Sequence, residues 1–242
     1  NGVKGVLTAS YSFDAATGVG TIDYSFKLTD NTIGDTTAAQ YAVSVKDADG
    51  DVNAAGNLEI KVEDDVPVAR DDVGTIAQGG TQTSGNVVTG AGAGSGADTV
   101  GADGAVVTKV AFGATSVNVP ATGTITINGD HGVLTLQANG TYSYVRNAGS
   151  QGGKSDVFTY TLTDGDTDSV TAKLTINIGD GTPTITLPTA GGDGTVVYEA
   201  GLPARTGESA GSNEVANSET TSGTIGFTSK DGISEIKLGN HV

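Results

Sequence analysis

The 242-residue chain carries 28 acidic against 12 basic side chains, a net charge of −16, and contains no Cys, Met or Trp. That balance excludes nucleic acid as a partner, because too few cations are present to neutralise phosphates, and it favours bound cations or a surface kept soluble by self-repulsion. The absence of Cys removes disulfides and thiolate metal sites, and no apolar run is long enough to span a membrane, so no membrane insertion is expected in this segment. Asn1 opens directly into polar sequence, so any export signal is expected outside this segment.

The elements read as strands from the start. Ile22, Tyr24, Phe26 and Leu28 interleave with polar residues, as do Tyr41, Val43 and Val45, and then Leu58, Ile60 and Val62. Further on, Phe158, Tyr160 and Leu162 alternate with threonines, and Val170, Ala172, Leu174, Ile176 and Ile178 keep the same period of two. One apolar and one polar face per run is the pattern of antiparallel sheets packed on one side. With 38 glycines and few aromatics, the composition suits short strands and tight turns, and no helical stripe stands out. The Gly- and Ala-rich stretch 85–105 reads as a long irregular loop with some polar contacts to the domain pole. It lacks the regular turns of the calcium-binding nonapeptide repeat.

The chain also repeats. Residues 5–67 run through GVLT, GTIDYSFKLTD, YAVSVKDADGD and NLEIKVEDDVP, while 132–183 run through GVLTL, GTYSYV, VFTYTLTDGDTD and KLTINIGDGTP. Each copy ends in an acidic stretch before Pro67 or Pro183, and a proline there marks a stiff linker. The expected division is therefore 1–66, the C-terminal half of a sandwich; 67–182, a complete sandwich; and 183–242, the N-terminal half of the next. Read head to tail, the end runs into the beginning, as a tandem repeat of the whole unit would. The expected fold class is all-β, tandem Ig-like or cadherin-like antiparallel β-sandwiches with calcium at the junctions.

The carboxylates carry the chemistry. Asp47, Asp49 and Asp51, and again Asp164, Asp166 and Asp168, sit in the turn between the last two strands of their domains. Alternate aspartates around a glycine aim several oxygens at one point, as a hard cation requires. No flanking helices and no glutamate at the required distance follow, which excludes an EF-hand. The first linker adds Glu63, Asp64, Asp65, Asp71 and Asp72; the second adds Asp180 and, later, Glu199. In an Ig-type sandwich the last turn lies at the pole where the chain enters. Asp164, Asp166 and Asp168 are therefore expected to meet Asp64, Asp65, Asp71 and Asp72, with Ca²⁺ offsetting their mutual repulsion. Asp180 and Glu199 are expected to meet the equivalent turn of a following repeat.

In this order, VEDDVPVARDD, the DADGD and DGDTD turns, the 85–105 loop and YEAGLPARTGESA resemble the repeats of giant type I-secreted RTX adhesins, the LapA-like biofilm proteins. VCBS and cadherin-like repeats are similar. The resemblance spans most of the chain. It implies a Ca²⁺-dependent fibre at the bacterial cell surface whose partners are neighbouring repeats, with host or abiotic surfaces bound through other domains.

Nothing points to an enzyme. The two histidines are His131, in a hairpin turn, and His241, and no nucleophile–base constellation accompanies them. Tyr142, Tyr144 and Tyr160 fit the inner face of a sandwich. Two other readings stay open beside the extender: a glycan- or protein-binding module using loops 85–105 and 205–222, and an S-layer or fibre subunit assembling through its edge strands.

Overall fold

A computed structural model describes residues 3–32, 34, 37–92, 94, 96–213 and 218–239. His241 and part of the 205–222 loop lie outside the described residues. Among those described there are fifteen strands and one short 3-10 turn, and no helix is long and apolar enough to cross a membrane.

The first compact unit holds residues 1–76, 81–147 and 155–177. It opens with two hairpins. Strand β1 (Gly5–Asp14) pairs antiparallel with β2 (Val19–Leu28), and β3 (Thr37–Lys46) pairs with β4 (Val52–Val62) through a register shift at Val43/Ser44. A sandwich follows. One sheet has the order β6 (Gln82–Asn86), β11 (Thr141–Arg146), β10 (Gly132–Leu136), β9 (Ile125–Asn128). The other has the order β5 (Asp72–Ile76), β13 (Ser169–Ile178), β12 (Ser155–Asp164), β7 (Ala105–Phe112), β8 (Thr115–Asn118).

The strand alternation read from the sequence builds the core of this sandwich. Phe158, Tyr160 and Leu162 of β12 and Leu174 and Ile176 of β13 point inward and are fully buried. They meet Leu134, Leu136, Tyr142 and Tyr144 of the opposite sheet, which are buried as well. Each such side chain contributes about 1.5–3 kcal/mol by leaving water. The rings of Tyr144 and Phe158 lie 6.1 Å apart between the sheets, edge to face. Two aspartates are buried with them. Asp156 accepts the Tyr144 hydroxyl at 2.6 Å and the His131 N–H, so the carboxylate sits in an apolar core only because two donors face it.

The hairpins repeat this local geometry. Gly5 stands opposite Leu28 and Leu7 opposite Phe26, as Gly132 stands opposite Arg146 and Leu134 opposite Tyr144. A β-carbon on Gly5 would meet the Phe26 ring, and one on Gly132 the Tyr144 ring, so both positions require glycine. Tyr41 faces Leu58 as Phe158 faces Leu174. The Phe26 and Tyr41 rings lie 6.2 Å apart, matching the Tyr144–Phe158 pair. The difference is cover. Tyr24 is 55% exposed where its counterpart Tyr142 is 1% exposed, and Val45 is 61% exposed where Leu162 is fully buried. One-sided packing of these strands was expected, yet much of the apolar face of the hairpins is open to solvent.

The second compact unit holds residues 77–80, 148–154 and 178–242. Its regular structure is sparse: β14 (Thr184–Thr186) pairs with β15 (Gly226–Thr228), and residues Glu199–Gly201 form the 3-10 turn.

Candidate metal centre

The sharpest chemistry in the first unit lies where the chain leaves β4. Asp64 follows the end of that strand by two residues, and β12 and β13 are joined by the turn that carries Asp166 and Asp168. The carboxylates of Asp64, Asp164, Asp166 and Asp168 each place an oxygen within 4.8 Å of all the others, and all four residues are half-buried. The turn is shaped for this. Asp164 and Asp168 exchange bonds, Asp164 N–H to Asp168 O at 3.1 Å and Asp168 N–H to Asp164 Oδ1 at 2.8 Å. Between them Thr167 adopts φ +90°, and no other described non-glycine residue has a positive φ. A β-branched residue held there stores strain; this one curls Asp166 and Asp168 back toward Asp164.

A fifth carboxylate joins from the Gly-rich loop. A β-carbon on Gly165 would lie 3.3 Å from that of Asp103, and the Asp103 charge reaches Asp64. The segment between β2 and β3 ties the outer side: Asn31 Nδ2 donates to Asp103 Oδ1 at 2.6 Å, and the Gly34 N–H donates to Asp166 Oδ2 at 2.7 Å.

These bonds leave four oxygens over. Asp64 Oδ2, Asp103 Oδ2, Asp164 Oδ2 and Asp166 Oδ1 are shielded from solvent and meet no hydrogen-bond donor. Buried carboxylate oxygens in native proteins almost always have a partner. Burial, and then the charges of Asp166, Asp103 and Asp168, raise Asp64 above the ordinary carboxylate range. Asp164 is raised by burial and by its hydrogen bond to Asp166, while the Gly34 N–H lowers Asp166. The donor set is oxygen alone, which fits a hard cation such as Ca²⁺ and disfavours softer metals that seek imidazole or thiolate.

The other acidic residues have different places. Asp47, Asp49 and Asp51 gather within 4.8 Å but are all exposed. Asp47 accepts the N–H groups of Gly50 and Asp51, and it is lowered by its hydrogen bond with Asp49 and by the Asp51 N–H. Glu63 and Asp65 are exposed, outside the Asp64 group, and the Asp65 carbonyl packs on Gly101. Asp71 and Asp72 do not reach the turn, contrary to the expectation from the linker. Asp71 accepts the Lys173 N–H at 2.9 Å on the flank of the sheet. Asp72 is the first residue of β5, and the alternation of that strand turns it into the core, where its Oδ2 lies 3.1 Å from the Tyr160 hydroxyl. That same hydroxyl lies 2.9 Å from Asp98 Oδ2 and from the Arg70 carbonyl.

In the second unit, Asp180 is exposed beside Gly152 and Gly153, and Asp231 accepts the Gly181 N–H. Glu199 opens the 3-10 turn and is exposed. Neither Asp180 nor Glu199 joins a metal-sized carboxylate group among the described residues. Sequence reasoning missed Asp103, Asp98, Asp156 and Asp231. Asp103 and Asp231 share a detectable signal, an Asp-Gly pair a few residues ahead of an apolar run.

Two facing sheets closed around an aromatic core, with the chain entering at a carboxylate-lined pole, define an immunoglobulin-like β-sandwich. Residues 64–177 match the model of the bacterial Ig domain family, in keeping with that sandwich. Such domains are a structural, non-enzymatic type, found typically in extracellular or surface proteins. No curated protein matches the chain.

Proposed function

We propose that this chain is part of the extender of a bacterial surface adhesin of the LapA-like RTX kind, secreted by a type I system, in which Ca²⁺ stiffens the junctions between sandwiches and so supports adhesion and biofilm formation. The observation that carries the reading is the convergence of Asp64, from a linker, with Asp164 and Asp166, from the sandwich that follows it, and with Asp103 beside them, each keeping one shielded oxygen that meets no donor. A cation there bonds the linker to the turn, and each ion removes two charges from a chain of net charge −16. Extracellular sites of this type bind at about 10⁻⁴–10⁻³ M. They empty at cytosolic calcium levels, where the chain stays loose for export, and fill outside the cell. The chain performs no catalysis in this role, and any ligand is held by other domains.

The test is differential: melting curves and small-angle scattering of the chain in calcium and in chelator. Calcium raises the melting temperature and extends the particle. Identical curves and profiles in the two conditions overturn the reading.

A further inference from the structure

The Gly-rich loop between β6 and β7 is tied down at its far end. Asp98 fastens it to the sandwich: its N–H donates to the Val88 carbonyl at 2.9 Å, its Oδ1 accepts the Arg70 N–H at 2.8 Å, and its Oδ2 lies 2.9 Å from the Tyr160 hydroxyl. From there the loop runs antiparallel to the linker. Val68 and Thr99 each donate a backbone N–H to the other's carbonyl, both at 2.9 Å. Gly101 packs on the Asp65 carbonyl, and the Gly104 N–H points back to the Gly101 carbonyl in a turn that sets Asp103 beside Gly165 and Asp64. Residues 98–104 thus lie along the linker as a strap, anchored at Asp98 and ending in the Asp103 carboxylate.

The forces on the strap are nearly balanced. Thr99 is exposed and Val68 is 49% exposed, so closing the strap removes little apolar surface from water. Gly101 and Gly104 lose more backbone freedom on ordering than other residues would. At the tip the Asp103 charge is brought against that of Asp64, and like charges at short range oppose the approach. Asn31 Nδ2 donates to Asp103 Oδ1, but Asp103 Oδ2 is shielded and meets no donor. One end of the strap is held by hydrogen bonds, while the other ends among carboxylates that repel it.

We infer that residues 98–104 are a strap that closes along the linker when the Asp64 group holds its cation, so that the junction is stiffened by backbone pairing as well as by carboxylates. The inference rests on the calcium reading of that group. Coupling of this kind is reciprocal: a cation that favours the closed strap is bound more weakly, by the same factor, when the strap is forced open. Gly101 is the place to force it. Its φ is +72°, and a β-carbon there would lie 2.5 Å from the Asp65 carbonyl oxygen, which is backbone and not the end of a flexible side chain. Gly113, in the turn between β7 and β8, is the control. Its φ is +55° and nothing lies within 4 Å of its β-carbon position, so an alanine there has the backbone strain without the collision.

The test combines calorimetric calcium titrations of the unmodified chain, Gly101→Ala and Gly113→Ala with amide hydrogen exchange of the unmodified chain in calcium and in chelator. Gly101→Ala, which alters no carboxylate, lowers calcium affinity about tenfold or more, and Gly113→Ala binds as the unmodified chain does. Calcium slows exchange of the Val68 and Thr99 amides about tenfold or more, and leaves the Gly140 amide, bonded to the Gln137 carbonyl in a hairpin turn, unchanged. If the unmodified chain binds calcium but Gly101→Ala binds it equally well, or if the Val68 and Thr99 amides exchange alike in both conditions, the strap is overturned and the calcium site stands. If the unmodified chain binds no calcium, both readings fall. Should Gly101→Ala fail to fold, the exchange rates of the unmodified chain decide alone.

Discussion

Asp64 and Asp164 bring a linker and a strand end together: one lies two residues past β4, the other closes β12, and their carboxylate oxygens stand within 4.8 Å. Nothing in the backbone pairing forces that meeting. Burial and like charge raise both groups, so in the absence of a cation the contact opposes folding. The Asp64→Asn variant therefore has effects of opposite sign in two conditions. In chelator it melts at the wild-type temperature or above. In 10 mM calcium, with a dissociation constant of about 10⁻⁴ M, the wild type gains about 2.7 kcal/mol and the variant loses most of that gain. Melting curves of both proteins in both conditions give the answer, and a variant destabilised equally in each shows that Asp64 has only a structural role.

A second prediction concerns protons. The Tyr160 hydroxyl has one hydrogen and three oxygen neighbours, Asp72 Oδ2, Asp98 Oδ2 and the Arg70 carbonyl. A hydroxyl with one hydrogen can donate to only one of them at a time. Burial raises Asp98 above the ordinary value of 3.8, against the opposing pull of the Arg70 N–H and Tyr160. The sign follows directly. The folded state binds a proton that the unfolded chain has released, so this contribution is fully present below the ordinary value of 3.8 and is lost as pH rises through the higher folded value. Asp98→Asn is neutral throughout. In chelator, wild-type stability minus that of Asp98→Asn should fall as pH rises from about 4 toward neutrality. Parallel curves would falsify the assignment.

Asp156 gives a third. It is buried and is held by the Tyr144 hydroxyl and the His131 N–H. Tyr144→Phe removes one donor and leaves the ring packing in place. The cost of an undersatisfied buried carboxylate is about 1–3 kcal/mol. Denaturant titration should show a lower midpoint with unchanged slope, and pairing Tyr144→Phe with Asp156→Asn should recover part of the loss. If the double variant loses the sum of the single effects, the two residues are not coupled.

Much of this architecture was legible because a period of two fixes which side of a strand is apolar. That reasoning placed Phe158, Tyr160 and Leu162 on one inner face, and put the DGDTD turn at a domain pole. It failed where the outcome depends on a partner. Tyr24 and Tyr142 have the same pattern, and only the strands around Tyr142 decide that it is buried. It also failed within the acidic linker. Asp64, Asp71 and Asp72 are the same residue type a few positions apart, but the alternation of β5 draws Asp72 inward to Tyr160, and a sheet amide claims Asp71. Asp103 was missed because an irregular loop has no period from which to read a direction.

The two aspartate triplets provide the last prediction. They are alike in sequence, and a reading by motif alone gives them equal affinity. Their surroundings differ. Asp164, Asp166 and Asp168 are joined by Asp64 and lie beside Asp103, and Asp64, Asp103, Asp164 and Asp166 each keep a shielded oxygen that lacks a donor. Asp47, Asp49 and Asp51 are exposed, and the Asp47 carboxylate already accepts two backbone N–H groups. Screening by water weakens what an exposed triplet can hold, and a cation there would replace few unmet interactions. At low protein concentration the first calcium ion therefore enters the Asp64 group. Asp49→Asn should leave the first isotherm of a calorimetric titration unchanged, while Asp166→Asn should lower its affinity about tenfold or more, a loss of at least about 1.4 kcal/mol. Equal losses in the two variants would mean that the linker carboxylate adds nothing and that the turn alone defines the site.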